Sequence, residues 1–349
     1  MKSFRPILIV FLLVLLIIGG FTFWLYHAVH SPVTHSNATK YITIQQGAST
    51  NSILKELEEY DILQEPLATK IYLRFINKQA KMQAGDYKFP SPISPIELIK
   101  QLEHGTKRTK TITIPEGWTR FEIAKRIAKE FHLDSLLTEK GVFELMNDTS
   151  LIQEIDPTAQ NLEGYLYPAT YEIELGAHPK EVIAKMVQEF KIIWKPEWEA
   201  LAIQMGKTPR EIVIIASLIE NESKIASERD LVASVIYNRL EQGIPLGIDA
   251  TNVYIAKLLD RWDGVIHKSD VEVDHPYNTR KVLGLPPGPI SSPSKSAIEA
   301  ALHPAKTDNL YYVLNVEAND GSHHFYVSNA EFRKGKAAYQ KWLKSQRDK

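Results

Sequence analysis

Two carboxylates close a long apolar run. In Glu211-Ile-Val-Ile-Ile-Ala-Ser-Leu-Ile-Glu220-Asn-Glu222-Ser223, no charge intervenes between Glu211 and Glu220. A carboxyl at the end of a buried helix is desolvated, and desolvation raises an acid's pKa by disfavouring its charged form. Such a group can hold a proton near neutral pH and deliver it to a leaving oxygen, which makes Glu220 the first candidate for a general acid. The competing reading is structural. Glutamate is seldom fully buried without a partner, so both side chains can also stand in a solvated turn after a core helix.

The helix that must carry them is legible. Thr208-Pro209-Arg210-Glu211 offers a hydroxyl at the N-cap, proline at the first helical position and a glutamate that reaches back to the N-cap amide. The pattern predicts a helix over 209–222. Its apolar residues leave no polar stripe, so protein should enclose it on most sides.

The chain has 349 residues, more than one core usually holds, and two or three domains are expected. Its 41 basic and 42 acidic side chains nearly cancel, so nothing in the charge points to a nucleic-acid partner. There is no cysteine, which excludes disulfides, thiolate metal sites and cysteine nucleophiles.

The N-terminus is strongly biased. Residues Ile7 to Tyr26 form a run of about twenty without a charge, long enough to cross a bilayer as a helix. Trp24 and Tyr26 stand where interfacial anchors belong, while Lys2 and Arg5 favour a cytoplasmic N-terminus. The run exceeds a signal-peptide core, and no small-x-small cleavage site follows it. An uncleaved single-pass anchor is therefore expected over 1–30, with a short polar linker over 31–39 and the remainder outside the cytoplasm.

A repeat follows. Tyr41-Ile-Thr-Ile-Gln-Gln-Gly47 with Ile53, Leu54 and Leu57 matches Thr111-Ile-Thr-Ile-Pro-Glu-Gly117 with Ile123, Ala124 and Ile127. Each copy reads as a short strand, a glycine turn and an amphipathic helix, the second started by a Thr119/Glu122 capping box. Between them Ser94-Pro-Ile-Glu97 opens a helix that stops at Gly105, before the basic Lys107-Arg108-Thr-Lys110 stretch. The spacing predicts a small strand–helix–helix–strand module.

Beyond Asp156 come an aromatic stretch, Asn161 to Tyr171, and helices over 179–194, 209–222 and 228–242, the last capped by Ser227 and stopped by Gly243. Gly284-Leu-Pro-Pro-Gly-Pro-Ile290 can be neither helix nor central strand, so it is a rigid turn or a cleft wall. Residues 310–316 and 323–327 read as a hairpin across Asn319-Asp-Gly321, ahead of a closing helix over 330–345.

Taken in order, Leu162-Glu-Gly-Tyr-Leu-Tyr-Pro, Ala216-Ser-Leu-Ile-Glu-Asn-Glu222, Val232-Ala-Ser-Val-Ile-Tyr-Asn-Arg-Leu240, Pro276-Tyr-Asn-Thr279 and the proline-rich loop resemble the YceG-like (MltG) endolytic murein transglycosylases. The resemblance covers nearly the whole chain. It implies an α+β protein: an N-terminal transmembrane helix, a small LysM-like α/β module over 40–108, and a mixed α+β catalytic domain over 109–349 built on a buried catalytic helix. It implies a bacterial inner-membrane enzyme that cuts nascent glycan strands internally, leaves a 1,6-anhydro-N-acetylmuramoyl end and so terminates strand elongation. Peptidoglycan synthases are candidate partners. On the family pattern the catalytic residue falls on Glu220. The family often carries aspartate after the proline of its Leu-Glu-Gly motif, and glutamine and proline around the Asp249 motif, where this chain has Ala169, Gly247 and Ala250.

The chemistry agrees. A neutral carboxyl protonates the leaving oxygen, and the resulting carboxylate takes the proton of the sugar's C6 hydroxyl, so one glutamate suffices and neither metal nor cofactor is required. Among supporting candidates, Glu222 can tune Glu220 or face solvent, and Asp249 can enter the cleft or cap a loop. Glu163 and Tyr171 can serve a sugar or pack in the core, and Asn278 can bind a sugar amide or shape a turn. His323 and His324, adjacent in a strand, face opposite sides. Two rivals stand: a lysozyme-type hydrolase using Glu220 with Asp249 or Glu222, and a non-catalytic membrane-tethered wall-binding protein.

Overall fold

The computed structural model describes residues 4–76, 82–105, 109–131, 138–174 and 177–347, and divides into two compact units, Met1–Lys110 and Thr111–Lys349. Lys2, Lys107 and Arg108 lie outside the described residues. The fold is mixed α+β with an N-terminal apolar helix.

In the first unit α1 (Phe4–His30) carries the apolar run, and its side chains from Ile9 to Ile18 are exposed. β1 (Ile42–Ile44), α2 (Thr50–Glu59), α3 (Pro66–Phe75), β2 (Gly85–Tyr87) and α4 (Pro95–His104) follow. Alternation puts Ile42 and Ile44 inward, and they bury against Leu54, Leu57, Leu73, Phe89 and Leu98. The helix expected to open at Ser94 and stop at Gly105 is α4: Ser94 and Glu97 form a capping box at its start, and Gly105 ends it with φ 59°. The polar 31–39 segment is tied down despite its irregularity. Val33 bridges Ile93, the buried His35 ring bonds Pro90 O, and Asn37 donates to Tyr60 O.

The two copies of the repeat do not share a sheet. β1 pairs antiparallel with β2, Ile42 opposite Tyr87, whereas β3 (Thr109–Thr113) pairs with β4 (Thr170–Glu174). Gly85-Asp-Tyr is too short and polar to announce a strand, so the expected strand–helix–helix–strand module has a different second strand.

The second unit continues with α5 (Arg120–Phe131) and α6 (Glu139–Leu145) ahead of β4, then α7 (Pro179–Ile193), α8 (Pro196–Gln204), α9 (Pro209–Glu222), α10 (Arg229–Glu241), α11 (Asp249–Leu258), α12 (Lys268–Glu272), α13 (Lys295–Leu302), the hairpin β5 (Tyr311–Leu314) and β6 (His323–Tyr326), and α14 (Asn329–Arg347). The bounds of α9 are those its sequence predicts, with Thr208 and Glu211 capping it reciprocally. Every residue from Ile212 to Ile219 is buried, so α9 is the central helix of this core, packed on α13, α10, α11 and α8. Ser227 does not cap α10. It lies in a short 3-10 turn, Ala226–Glu228, and Glu228 occupies the N-cap.

Arg210, on the first turn of α9, fixes two neighbouring segments. It meets Asp156 Oδ2 and Pro287 O at 2.5 Å each, and Asp156 also accepts from the Tyr165 hydroxyl at 2.7 Å. One guanidinium thus ties the aromatic stretch and the proline-rich loop to the helix.

Candidate active site

The polar end of α9 divides between two faces. Ser217, Glu220 and Asn221 turn toward the 290–294 segment that runs into α13. Ile290 N–H donates to Ser217 Oγ at 3.1 Å, and Asn221 Nδ2 donates to Ser291 Oγ at 2.6 Å. Glu220 Oε2 accepts the Ser294 backbone N–H at 2.8 Å and its hydroxyl at 2.5 Å, while Oε1 accepts from Arg229 Nη2 at 2.8 Å. Ser294 is the N-cap of α13, and Arg229 also holds the Ser294 and Ser296 hydroxyls. The apolar isolation expected for Glu220 is absent. Its side chain is only 5% exposed, yet it sits on a guanidinium, a hydroxyl and an amide that joins three elements. Glu116 approaches the same guanidinium at 4.0 Å, and burial and the Glu220 charge push it up while Arg229 pulls it down.

Glu222, two residues on, faces the other way, as helical geometry requires. With Thr119, Asn221, Asp249, Ala250, Val253, Tyr254, Lys257, Ile266 and Ile290 it lines a cleft of about 300 Å³. Its Oε2 accepts a 2.5 Å hydrogen bond from the Tyr312 hydroxyl on β5. Burial pushes Glu222 above the usual carboxylate range, the Tyr312 bond opposes this, the Asp249 charge adds to it, and His323 and Arg280 pull down.

Asp249, first residue of α11, stands at the cleft with its side chain 58% exposed and paired to Arg280 through both Nε and Nη2. Glu163 lies elsewhere. It is wholly buried, accepts the Arg120 backbone N–H at 3.2 Å, approaches Arg120 Nε at 3.6 Å and bonds the Tyr254 hydroxyl. Burial raises it to about 7 against the pull of Arg120. It is joined to the cleft wall through the Tyr254 hydroxyl and, by way of the Arg120 backbone, through Thr119.

Tyr171 and Asn278 are not brought to the cleft. The Tyr171 hydroxyl donates to Tyr167 O at 2.6 Å, and its ring lies in the core. Asn278 donates to Val271 O and Val273 O at 3.0 and 2.7 Å and accepts from Arg280 N–H at 3.1 Å, so its amide shapes the turn that carries Arg280. His323 bonds Glu228, while His324 is exposed.

Sequence reasoning singled out neither Tyr312, Arg229 nor Arg280. Tyr312 is one aromatic of an aromatic strand, and the two arginines meet their acids only after the chain has folded, so no local spacing marks them. The proline-rich loop supplies Ile290 to the cleft wall.

The sequence profile of the YceG-like family matches residues 42–338. The chain belongs to the YceG-like family. It is 33% identical over 345 residues to an endolytic murein transglycosylase of Bacillus subtilis strain 168, covering 93% of this chain and 91% of that one. It is 30% identical over 357 residues to an endolytic murein transglycosylase of Streptococcus pneumoniae serotype 2 strain D39, covering 95% of this chain. It spans 64% of the length of that longer relative. A crystal structure of a YceG-like protein from Listeria monocytogenes superposes with TM-score 0.56 at 29% identity, covering 84% of this chain and 97% of that one.

Proposed function

We propose that this protein is an endolytic peptidoglycan lytic transglycosylase in which Glu222, rather than Glu220, is the general acid and then the base. The observation that carries the choice is the division of α9: Glu222 lines the cleft and burial raises it, whereas Glu220 is absorbed in the Arg229–Ser294 junction. The family membership and the names of the relatives support the reaction class.

In the proposed reaction neutral Glu222 gives its proton to the bridging oxygen of the β-1,4 bond between N-acetylmuramic acid and N-acetylglucosamine. The C1–O4 bond breaks with oxocarbenium character, and the hydroxyl formed leaves with the N-acetylglucosamine side. The Glu222 carboxylate then removes the proton of the C6 hydroxyl as that oxygen bonds C1. The 1,6-anhydro ring closes, the acid is regenerated and no water is consumed. Asp249, tethered to Arg280, adds negative charge beside the developing cation.

The first unit, with its own core, is read as a LysM-like module that keeps a long polymer near the cleft, and α1 as a single-pass anchor in the inner membrane with a cytoplasmic N-terminus. That placement puts the enzyme beside newly made strands and the synthases that make them.

The test is a pair of isosteric variants of the full chain in detergent on purified glycan strands, with products read by mass. Glu222→Gln is expected to lose about 10²–10⁴-fold in turnover with its melting temperature kept. Glu220→Gln is expected to lose about 3 kcal/mol of stability, because Arg229 loses a buried partner, while each folded molecule still makes anhydro ends. Near-normal turnover by Glu222→Gln, or reducing ends as the main product of the unaltered protein, would overturn the proposal.

A further inference from the structure

We propose that Tyr312 is a positioning residue for the reaction assigned above to Glu222: its hydroxyl fixes which carboxyl oxygen keeps the transferable proton and holds that oxygen toward the cleft. The inference rests on that assignment and adds to it a residue that no sequence motif marked.

A phenol has one proton to donate. Tyr312 gives it to Glu222 Oε2 at 2.5 Å, so Oε2 is an acceptor and neutral Glu222 carries its own proton on Oε1. Without that bond the acid has two equivalent protonation sites and a free terminal torsion, and only one combination addresses the glycosidic oxygen.

The donor itself is built to stay in place. Tyr312 stands on β5 opposite Phe325 of β6, and its ring meets the edge of His323 at 5.5 Å and 81°. His323 is held at two points by Glu228, through its backbone N–H and its Nδ1, each at 2.9 Å. A group held on a paired strand keeps its aim better than one on a loop. Burial holds the Tyr312 phenol well above its ordinary value, so it remains a donor across the working range.

The surrounding charges set the sign of the test. Asp249 from α11, His323 from β6 and Arg280 from the loop after α12 face Glu222, and Arg239 from α10 faces both Glu222 and Tyr312. Against the upward push of burial, the Tyr312 bond is the largest opposing influence on Glu222. Removing it raises Glu222 further. An enzyme that needs neutral Glu222 loses activity as pH rises through the pKa of that group, so the alkaline limb of its pH profile should move to higher pH.

The experiment measures kcat and KM against pH on purified glycan strands for the full-length protein, Tyr312→Phe, and a chain carrying 3-fluorotyrosine at position 312. Tyr312→Phe is expected to lower kcat about tenfold at the acid plateau, leave KM unchanged and shift the alkaline limb upward. Fluorotyrosine keeps ring and hydroxyl but donates more strongly, so it should shift the limb downward with folding unaffected. Limbs that stay put in both proteins, or a change confined to KM, overturn the role of Tyr312. Glu222→Gln measured beside them separates the failures: an active Glu222→Gln protein defeats the assignment of the acid, whereas an inactive one beside unshifted Tyr312 variants defeats only the positioning role.

Discussion

Burial pushes the Glu163 carboxyl from an ordinary 4.5 up to about 7, against the pull of Arg120 and the hydrogen bonds from Arg120 and Tyr254. A group whose pKa is raised on folding binds its proton more tightly in the native state. Its contribution to stability is fully present below the unfolded value and is lost as pH rises through the folded one. The window is therefore about pH 4.5 to 7, and a shift of this size corresponds to about 3 kcal/mol. Thermal melts of the full chain between pH 5 and about 8 should fall with rising pH, and Glu163→Gln should flatten that fall, because an amide does not titrate. Equal slopes in the two proteins would rule Glu163 out as the source. The sequence exposed this residue but not its state. Leu162-Glu-Gly marks Glu163, whereas its partner Arg120 lies on α5 and its neighbour Tyr254 on α11, both brought close only by tertiary packing.

Single elements show where local pattern was enough and where it was not. The cap signals of α9 and α4 fixed their limits because proline, hydroxyl and glutamate all act within one turn. The sheet partners of β1 and β3 were not legible, since pairing depends on segments distant in sequence and β2 lacks an alternating pattern. Likewise the order of residues in α9 displayed both glutamates but not which one the 290–294 segment claims. The proline-rich loop that leads into that segment is held by a close approach. Gly164 has φ +84°, and a Cβ there would stand 2.6 Å from Pro289 and 2.9 Å from Val213 of α9. The aromatic stretch and the proline-rich loop can approach this closely only because residue 164 has no side chain. Gly164→Ala should cost about 2–4 kcal/mol from left-handed backbone strain and overpacking together. Because Ile290 follows Pro289 and lines the cleft, turnover should fall along with denaturation midpoint. A variant within about 0.5 kcal/mol of the parent would show that the loop yields and does not position the wall.

At the scale of the whole molecule, α1 is the feature that composition alone disclosed. The most apolar stretch of Ile9–His30 has a mean hydropathy of 2.5, and none of that stretch is covered by protein. A helix that leaves Leu12, Leu13, Leu16, Ile17 and Phe23 exposed needs an apolar medium or a partner. Its far end differs: Val29 is buried, and α1 packs against α3 and α4 of its own unit. The exposed apolar part is thus continuous with a folded base, an arrangement that would hold that unit close to whatever apolar medium covers the helix. A bilayer is the medium this surface fits, because the run is about the length needed to cross one and carries no charge at its centre. Full-length protein should therefore sediment with membranes, resist carbonate and dissolve in detergent. Leu13→Arg with Leu16→Arg places two charges at the centre of the run, each costing about 2.5–3.5 kcal/mol there, and should shift the protein out of the membrane fraction. If the unaltered chain is recovered in the soluble fraction, or the doubly charged variant stays membrane-bound through detergent-sensitive contacts, α1 is a docking helix for another protein and not an anchor.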